Sequence, residues 1–190
     1  WCPCFEPSKA FPLNISYFLP FTTPDVRVQV KVMRQLIDEF PELHNYLETR
    51  YGQKLLAISG LDNYGLGTSF PWQSTSELAG RKLLGAGPNL PWISGVGAIP
   101  MNSSLVTAYN QLATGAADGF LSLPGSFYGF RLYEQAPHYK VTNFGAMAQV
   151  VLTMNTDTRT NLPPEIVTII DQVARELETV ATHLSHEKEI

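Results

Sequence analysis

Two rhythms of apolar residues divide the chain. Val26, Val30, Met33, Ile37 and Phe40 fall at alternating spacings of four and three, which lays a single stripe along an α-helix. Thr23 supplies an N-cap hydroxyl, Pro24 stands where a missing N–H costs nothing, and Asp25 suits the positive helix end. Pro41 interrupts the stripe, a second helical stretch runs from Glu42 to Tyr51, and Gly52 provides a left-handed stop. The apolar run Lys54 to Ser59 then predicts a buried strand.

The middle of the chain is written in shorter units. Gly60 to Gly67 is rich in Gly, Asn and Asp and predicts a loop crossing between two lobes, continued by Pro71 to Ser76. Strand-sized segments follow at Arg81–Leu84, Ile99–Met101 and Phe120–Leu123, with a short helix around Trp92 at most. Ser103 or Ser104 can cap a helix that turns Leu105, Ala108, Tyr109 and Leu112 inward and stops at Gly115. Phe127, Phe130 and Tyr133 share a helical spacing, and His138–Phe144 and Gln149–Met154 predict extended segments.

Pro163 and Pro164 open the final helix. Its Ile166, Ile170, Val173, Leu177, Val180 and Leu184 repeat predicts one face packed on the body of the protein. Helices and strands alternate almost throughout, which gives an α/β layered fold.

Composition narrows the function classes. The 190 residues are 44% hydrophobic and 16% charged, enough for one globular domain or two small lobes, and no apolar run reaches the ~20 residues of a membrane-spanning helix. A net charge of −4 with no Lys/Arg cluster offers nothing to neutralise nucleic-acid phosphates. The chain begins without Met and without a basic-then-apolar leader, so any targeting segment is expected to have been removed. Cys2 and Cys4 cannot complete a tetrahedral zinc site alone and read as incidental thiols.

Catalytic signatures are missing. There is no nucleophile elbow, no phosphate-binding P-loop and no zinc-binding H-E-x-x-H helix. Gly65-Leu66-Gly67-Thr68-Ser69-Phe70 starts like a dinucleotide fingerprint, but Phe70 occupies the third glycine position. His183 and His186 read as a solvated helix end beside Glu187 and Lys188 rather than a metal pair. Asp62 and Asp118 sit in Gly-bearing turns without a partner acid or base, so they read as turn formers. No cofactor or metal is called for. What remains is a set of aromatic and amide residues in loops: Asn63, Tyr64, Trp72, Asn89, Trp92, Asn102, Tyr128 and Asn143. Loops at strand ends are where α/β folds hold ligands, and rings with amides suit a small organic solute.

Several stretches, in order, resemble the receptor subunits of tripartite ATP-independent periplasmic (TRAP) transporters, the DctP-type family. Tyr17-Phe18-Leu19-Pro20-Phe21 with Pro24-Asp25 resembles an apolar-Pro-Phe segment before a helix, and Glu77 to Leu83 resembles a "DLKGLKI" motif. Gly97 to Met101 with Ala108 to Gly119 resembles "GATPV…VYTALQTGVVDG", the most specific match. Leu132-Tyr133-Glu134, Val141-Thr142-Asn143 and Leu162 to Glu165 resemble later "LYE", "TN" and "LPE" elements, so the likeness spans about Pro12 to Glu176.

The resemblance implies a two-lobed periplasmic-binding-protein-like (type II) fold with the first lobe incomplete. Residues 1–61 form part of lobe one, 62–147 form lobe two, and 148–190 return to lobe one. It implies capture of a small organic solute in the periplasm and delivery to integral-membrane permease subunits, without bond chemistry. A sensory module of the same fold is the alternative. An enzyme would need a nucleophile or an acid/base pair that the sequence does not supply.

Departures from the family pattern shape the expected ligand. The family's carboxylate-gripping Arg corresponds to Leu84, a second Arg falls near Tyr64, and an Asn falls on Ser122. The expectation is a ligand held without the Arg clamp: neutral, aromatic, or an acid bound by hydroxyl, amide and backbone donors. Arg81 and Arg131 are other candidate cations, neither at the motif position. The isolated piece is expected to expose a sheet edge or an apolar face and to associate.

Overall fold

The computed structural model describes residues 21–61, 63–146 and 149–187, in two compact units. Cys2, Cys4, the Tyr17–Pro20 stretch, Asp62 and Lys188 lie outside the described residues. One unit comprises residues up to Leu61 and from Ala146 onward, the other Asp62–Gly145.

The first unit contains helices α1 (Val26–Glu39) and α2 (Glu42–Tyr51), strand β1 (Gln53–Gly60), strand β7 (Gln149–Asn155), and helices α6 (Thr156–Thr160) and α7 (Pro164–Glu187). Asp25, not Thr23, caps α1. Its carboxylate accepts the Arg27 backbone N–H at 2.8 Å, while the Thr23 hydroxyl accepts the Asp25 N–H one step outside the helix. Val26, Val30, Met33 and Ile37 are buried against Ile58 and Val151. Phe40 leaves the stripe because it is the C-cap, with non-helical backbone, and its ring is exposed. Gly52 ends α2 at φ 59° as expected.

Strands β1 and β7 form a two-stranded antiparallel sheet with a register shift between Leu55 and Ala57. Glu178 of α7 ties the unit together. Its carboxylate takes a two-nitrogen grip from Arg34 of α1, at 3.1 and 2.5 Å, and accepts the Ile58 N–H of β1 at 3.0 Å. Ala174 and Thr182, one turn to either side, are the buried positions of α7. The Ile166–Leu184 stripe, expected to be packed, instead stands open, with Ile166, Val173, Leu177, Val180 and Leu184 between 40% and 54% exposed. The helix is rotated so that its Ala174–Glu178–Thr182 line faces α1 and β1, drawn there by the ion pair.

The second unit is built on a five-stranded sheet in the order β4-β3-β5-β2-β6. These strands are β2 (Gly65–Thr68), β3 (Lys82–Gly85), β4 (Ile99–Asn102), β5 (Gly119–Ser122) and β6 (His138–Val141), with helices α3 (Leu90–Gly95), α4 (Leu105–Ala113) and α5 (Pro124–Gly129). β3 is parallel to β4 and β5, whereas β2 runs antiparallel to β5 and β6. The Gly-rich crossing predicted as loop therefore contains β2, a fully buried interior strand. Its glycines hide it from propensity. A Cβ on Gly67 would stand 2.2 Å from the Phe127 ring, and one on Gly65 2.2 Å from the Tyr139 hydroxyl. The fingerprint-like glycines thus make room for two aromatic rings, not for a pyrophosphate.

One face of this sheet packs Leu84, Phe120 and Tyr139 against Ala108 and Leu112 of α4 and Phe127 of α5. The Phe127–Phe130–Tyr133 spacing does not run as one helix. Arg131 takes φ 54° after α5 ends, so Phe130 and Tyr133 turn outward while Phe127 stays buried. Asp118 is structural, as expected, but its carboxylate accepts the Lys82 N–H at 2.8 Å, fastening the start of β3 instead of its own turn.

Replacing Gly67 by Ala must displace the Phe127 ring, and is expected to cost about 1–3 kcal/mol in urea unfolding. Gly95→Ala, where an added Cβ meets nothing within 4 Å, is expected to stay within about 0.5 kcal/mol of wild type.

Candidate functional site

The strand register gathers one set of residues at one end of the five-stranded sheet. Gly85 pairs with Asn102, and Gly65 pairs with both Ser122 and Val141. The carboxyl ends of β3, β4 and β5 therefore lie beside the start of β2 and the end of β6. Ligands of α/β sheets collect at such an end, where loops leave the strands. The opposite end carries Lys82, Ile99, Gly119, Thr68 and His138.

Tyr64, just before β2, is 3% exposed and meets Trp92 of α3 edge-to-face at 5.6 Å. Trp92 in turn stacks on Phe144 at 5.2 Å and 17°. Asn63 donates to the Asn143 side chain at 2.8 Å and accepts the Gly145 N–H at 2.8 Å, while the Thr142 hydroxyl donates to the Tyr64 carbonyl at 3.0 Å. These bonds hold the strand leading out of β6 against the strand leading into β2. Ser122 is buried, and its carbonyl accepts the Tyr139 hydroxyl.

Asn89 precedes α3 and is 1% exposed, with neither side-chain oxygen nor nitrogen in a hydrogen bond of standard geometry. It lies near enough to the Tyr64 hydroxyl to lower that phenol's pKa slightly, but burial dominates and pushes Tyr64 above its ordinary value of 10.0. A buried amide costs about 1–3 kcal/mol on mutational scales where its groups go unmet, and the Tyr64 hydroxyl is the neighbour that Asn89 has for a hydrogen bond. Gly85 makes room for Ile93 of α3, whose side chain an added Cβ would meet at 2.8 Å.

Asn63, Tyr64, Asn89, Trp92, Asn102, Ser122 and Asn143 thus fall at one end of the sheet, with Asn102 exposed at the tip of β4. Leu84 does not join them. Its side chain points into the core and is 0% exposed, one residue short of the strand end, so its identity is explained by packing against Ala108, Phe120 and Phe127. Tyr128 is 79% exposed on α5, stacked on Tyr133. Trp72 lies past the opposite end of β2, under the Lys140 ammonium at 4.8 Å.

Phe144, Thr142 and Gly85 also lie at this end of the sheet, outside the candidates read from the sequence. The aromatic residue between Asn143 and Gly145 was the available signal for Phe144.

The positive charges of the second unit are placed away from this end. The second unit's four Lys and Arg residues are Arg81, Lys82, Arg131 and Lys140. Arg81 lies over the Phe70 ring at 4.1 Å, Lys82 opens β3 at the far end, Arg131 pairs with Glu134 on the surface, and Lys140 covers Trp72. Among the described residues, no group of three or more His, Cys, Asp or Glu could hold a metal, and no helix is long and apolar enough to cross a membrane.

With this geometry in view, the chain matches bacterial extracellular solute-binding protein family 7, DctP, over residues 10–190, and it belongs to that family. Solved structures of TRAP periplasmic solute-binding proteins share the fold. One from Haemophilus influenzae RdAW with bound L-gulonate has a TM-score of 0.84 at 18% identity, covering 96% of this chain and 59% of that one. DctP6 of Bordetella pertussis, a receptor binding pyroglutamic acid, has a TM-score of 0.83 at 18% identity, covering 97% and 60%. A protein from Sulfitobacter sp. NAS-14.1 with bound β-D-galacturonate has a TM-score of 0.80 at 24% identity, covering 96% and 60%. The chain thus spans about three-fifths of the length of these relatives. No curated protein sequence matches it.

Tyr64 gives the site a pH signature. Because its folded pKa is raised, the stability it contributes is complete below the unfolded value of 10.0 and falls as pH rises from there toward the folded value. Thermal melts from pH 8 to 11 are expected to show a steeper alkaline loss in wild type than in Tyr64→Phe. Asn89→Leu, which removes the buried amide at similar volume, is expected to stay within about 1 kcal/mol of wild type or to exceed it.

Proposed function

We propose that this chain is the solute-holding part of a TRAP-type receptor working outside the cytoplasm, in the periplasm. It captures a small organic solute and presents it to membrane permease subunits, with no bond made or broken. The observation that carries this reading is the cluster of Tyr64, Trp92 and Phe144 with the buried Asn89 amide at the strand ends of a chain of this family. The acids bound by the relatives, L-gulonate, β-D-galacturonate and pyroglutamic acid, support small polar acids as the solute class.

The mode of capture differs from a guanidinium clamp. A bidentate Arg–carboxylate pair needs its fork at the strand end, and the motif position holds a core leucine. The second unit therefore contributes ring faces, an amide, and the hydroxyl and backbone donors around Ser122 and Asn102. Such a surface suits a neutral or aromatic solute, or an acid met by hydrogen-bond donors without a cation from this unit.

Native mass spectrometry of the complete protein purified from its source is expected to find a small organic solute bound. Calorimetry with that solute should show affinity lowered about tenfold or more by Trp92→Ala and unchanged by Arg81→Ala or Arg131→Ala. Tight binding abolished by either arginine substitution, and unaffected at Tyr64, would overturn the clamp-free mode. A protein that carries no solute and binds none of the acids found in its relatives would overturn the receptor reading.

A further inference from the structure

At the opposite end of the second unit's sheet, the chain displays cations that its own carboxylates leave alone. The segment leaving β2 there is pinned at once. Ser69 donates its N–H at 2.9 Å and its hydroxyl at 3.1 Å to the Asp118 carbonyl, and the Thr68 hydroxyl donates to the Phe70 carbonyl at 2.6 Å. Two rings follow, two residues apart in sequence, and a cation lies over each. The Arg81 guanidinium carbon is 4.1 Å from the centre of the Phe70 ring, and the Lys140 ammonium is 4.8 Å from that of Trp72. Lys140 also donates to the Gln73 side-chain oxygen at 3.4 Å. Lys82 follows Arg81 at the start of β3, and both are exposed.

The two carboxylates at this end are taken up by backbone amides. Asp118 accepts the Lys82 N–H at 2.8 Å, and Glu77 accepts the N–H groups of Gln73 and Ser74 at 3.1 and 3.0 Å. Elsewhere the pattern is the reverse: Arg27, Arg34, Lys54, Arg131, Arg159 and Arg175 each have a carboxylate within 4 Å. Among the described residues, Lys31 and Arg50 of the first unit are the other Lys and Arg side chains that make no ion pair.

A ring orders a cation without neutralising it. The contact contributes about 0.5–1 kcal/mol at an exposed site. That offsets part of the roughly 0.5–1.5 kcal/mol lost when such a side chain is immobilised on binding. A ring beneath a guanidinium also leaves its N–H donors free to meet a carboxylate.

We propose that this end of the second unit is a docking surface for a carboxylate-bearing segment of a partner protein, anchored by Arg81 and Lys140 on their rings. Three cations in a chain of net charge −4 fall short of the roughly four to eight basic residues that mark binding to anionic membranes. Arginine set among aromatic rings is instead what protein interfaces concentrate. The surface lies away from the strand ends that carry Tyr64 and Trp92, so its role does not depend on a solute.

The test titrates the whole chain, without solute, into a fluorescently labelled Glu-rich peptide and into a Gln-rich peptide of the same length. Binding of the Glu-rich peptide alone is expected. Arg81→Gln with Lys140→Gln should weaken it about tenfold or more. Lys31→Gln with Arg50→Gln removes the same charge elsewhere and should change it less than about twofold. Phe70→Leu keeps every charge but takes the ring from beneath Arg81, and should weaken binding about twofold to fivefold. No binding of the Glu-rich peptide, equal losses in the two double variants, or unchanged affinity in Phe70→Leu would overturn the assignment. So would equally tight binding of inorganic phosphate or of vesicles containing phosphatidylserine. Solute binding by the same variants is expected to match wild type, so failure of the receptor reading and failure of this surface are separable.

Discussion

The close approach of aromatic rings to β2 is the constraint on which the second unit depends. Phe127 and Tyr139 occupy the space that side chains on Gly67 and Gly65 would need. With the rings in place, α5 and β6 are drawn against the sheet, and the Tyr139 hydroxyl reaches the Ser122 carbonyl. That bond lies at the strand end where Tyr64 begins. Packing inside the sheet and the layout of the candidate site thus meet at one point, the pairing of Gly65 with Ser122 and Val141 beneath the Tyr139 ring.

The first unit rests on an interaction of a different kind. Glu178 joins α7, α1 and β1 through a largely buried ion pair and a backbone amide. A charge pair of this kind gains its Coulomb energy only after both partners are desolvated, so it adds less net stability than it fixes orientation. Orientation is its visible effect, because it directs the Ala174–Glu178–Thr182 line inward and leaves the apolar stripe outside. Leu152 of β7 is also exposed. The first unit thus presents more apolar surface than its own elements cover, in a chain shorter than its structural relatives.

Much of this was legible in the sequence, for physical reasons that vary by element. Helix α1, Gly52 and the strands β1, β3, β4, β5 and β7 follow from periodicity and stop signals, which are local. β2 was not legible, because Gly-Leu-Gly-Thr scores as a loop unless the rings that require its glycines are known. The inward face of α7 was misread because a helix stripe predicts burial only where a partner exists, and an ion pair set the rotation. Tyr64, Asn89 and Trp92 stand out in the sequence as ring and amide residues in loops, since loop position and chemistry are both sequence properties, and the structure places them at one end of the sheet. Phe144 and the bonding of Asn63 to Asn143 depend on pairing β2 with β6 across about eighty residues, which no local signal carries.

Leu84 sets a limit on where this chain can place a positive charge. A leucine codon can become an arginine codon by a single base change, but the side chain at this position is enclosed by Ala108, Phe120 and Phe127. A guanidinium placed there would lose its hydration with no carboxylate beside it, at a cost of order several kcal/mol against a marginal total stability. Several core residues would have to shrink or turn together before a cation could be housed. The position therefore behaves as a ratchet: drift alone can adjust the rings and amides at the strand ends, whereas gaining a fixed positive charge at this strand requires rebuilding the core beneath it.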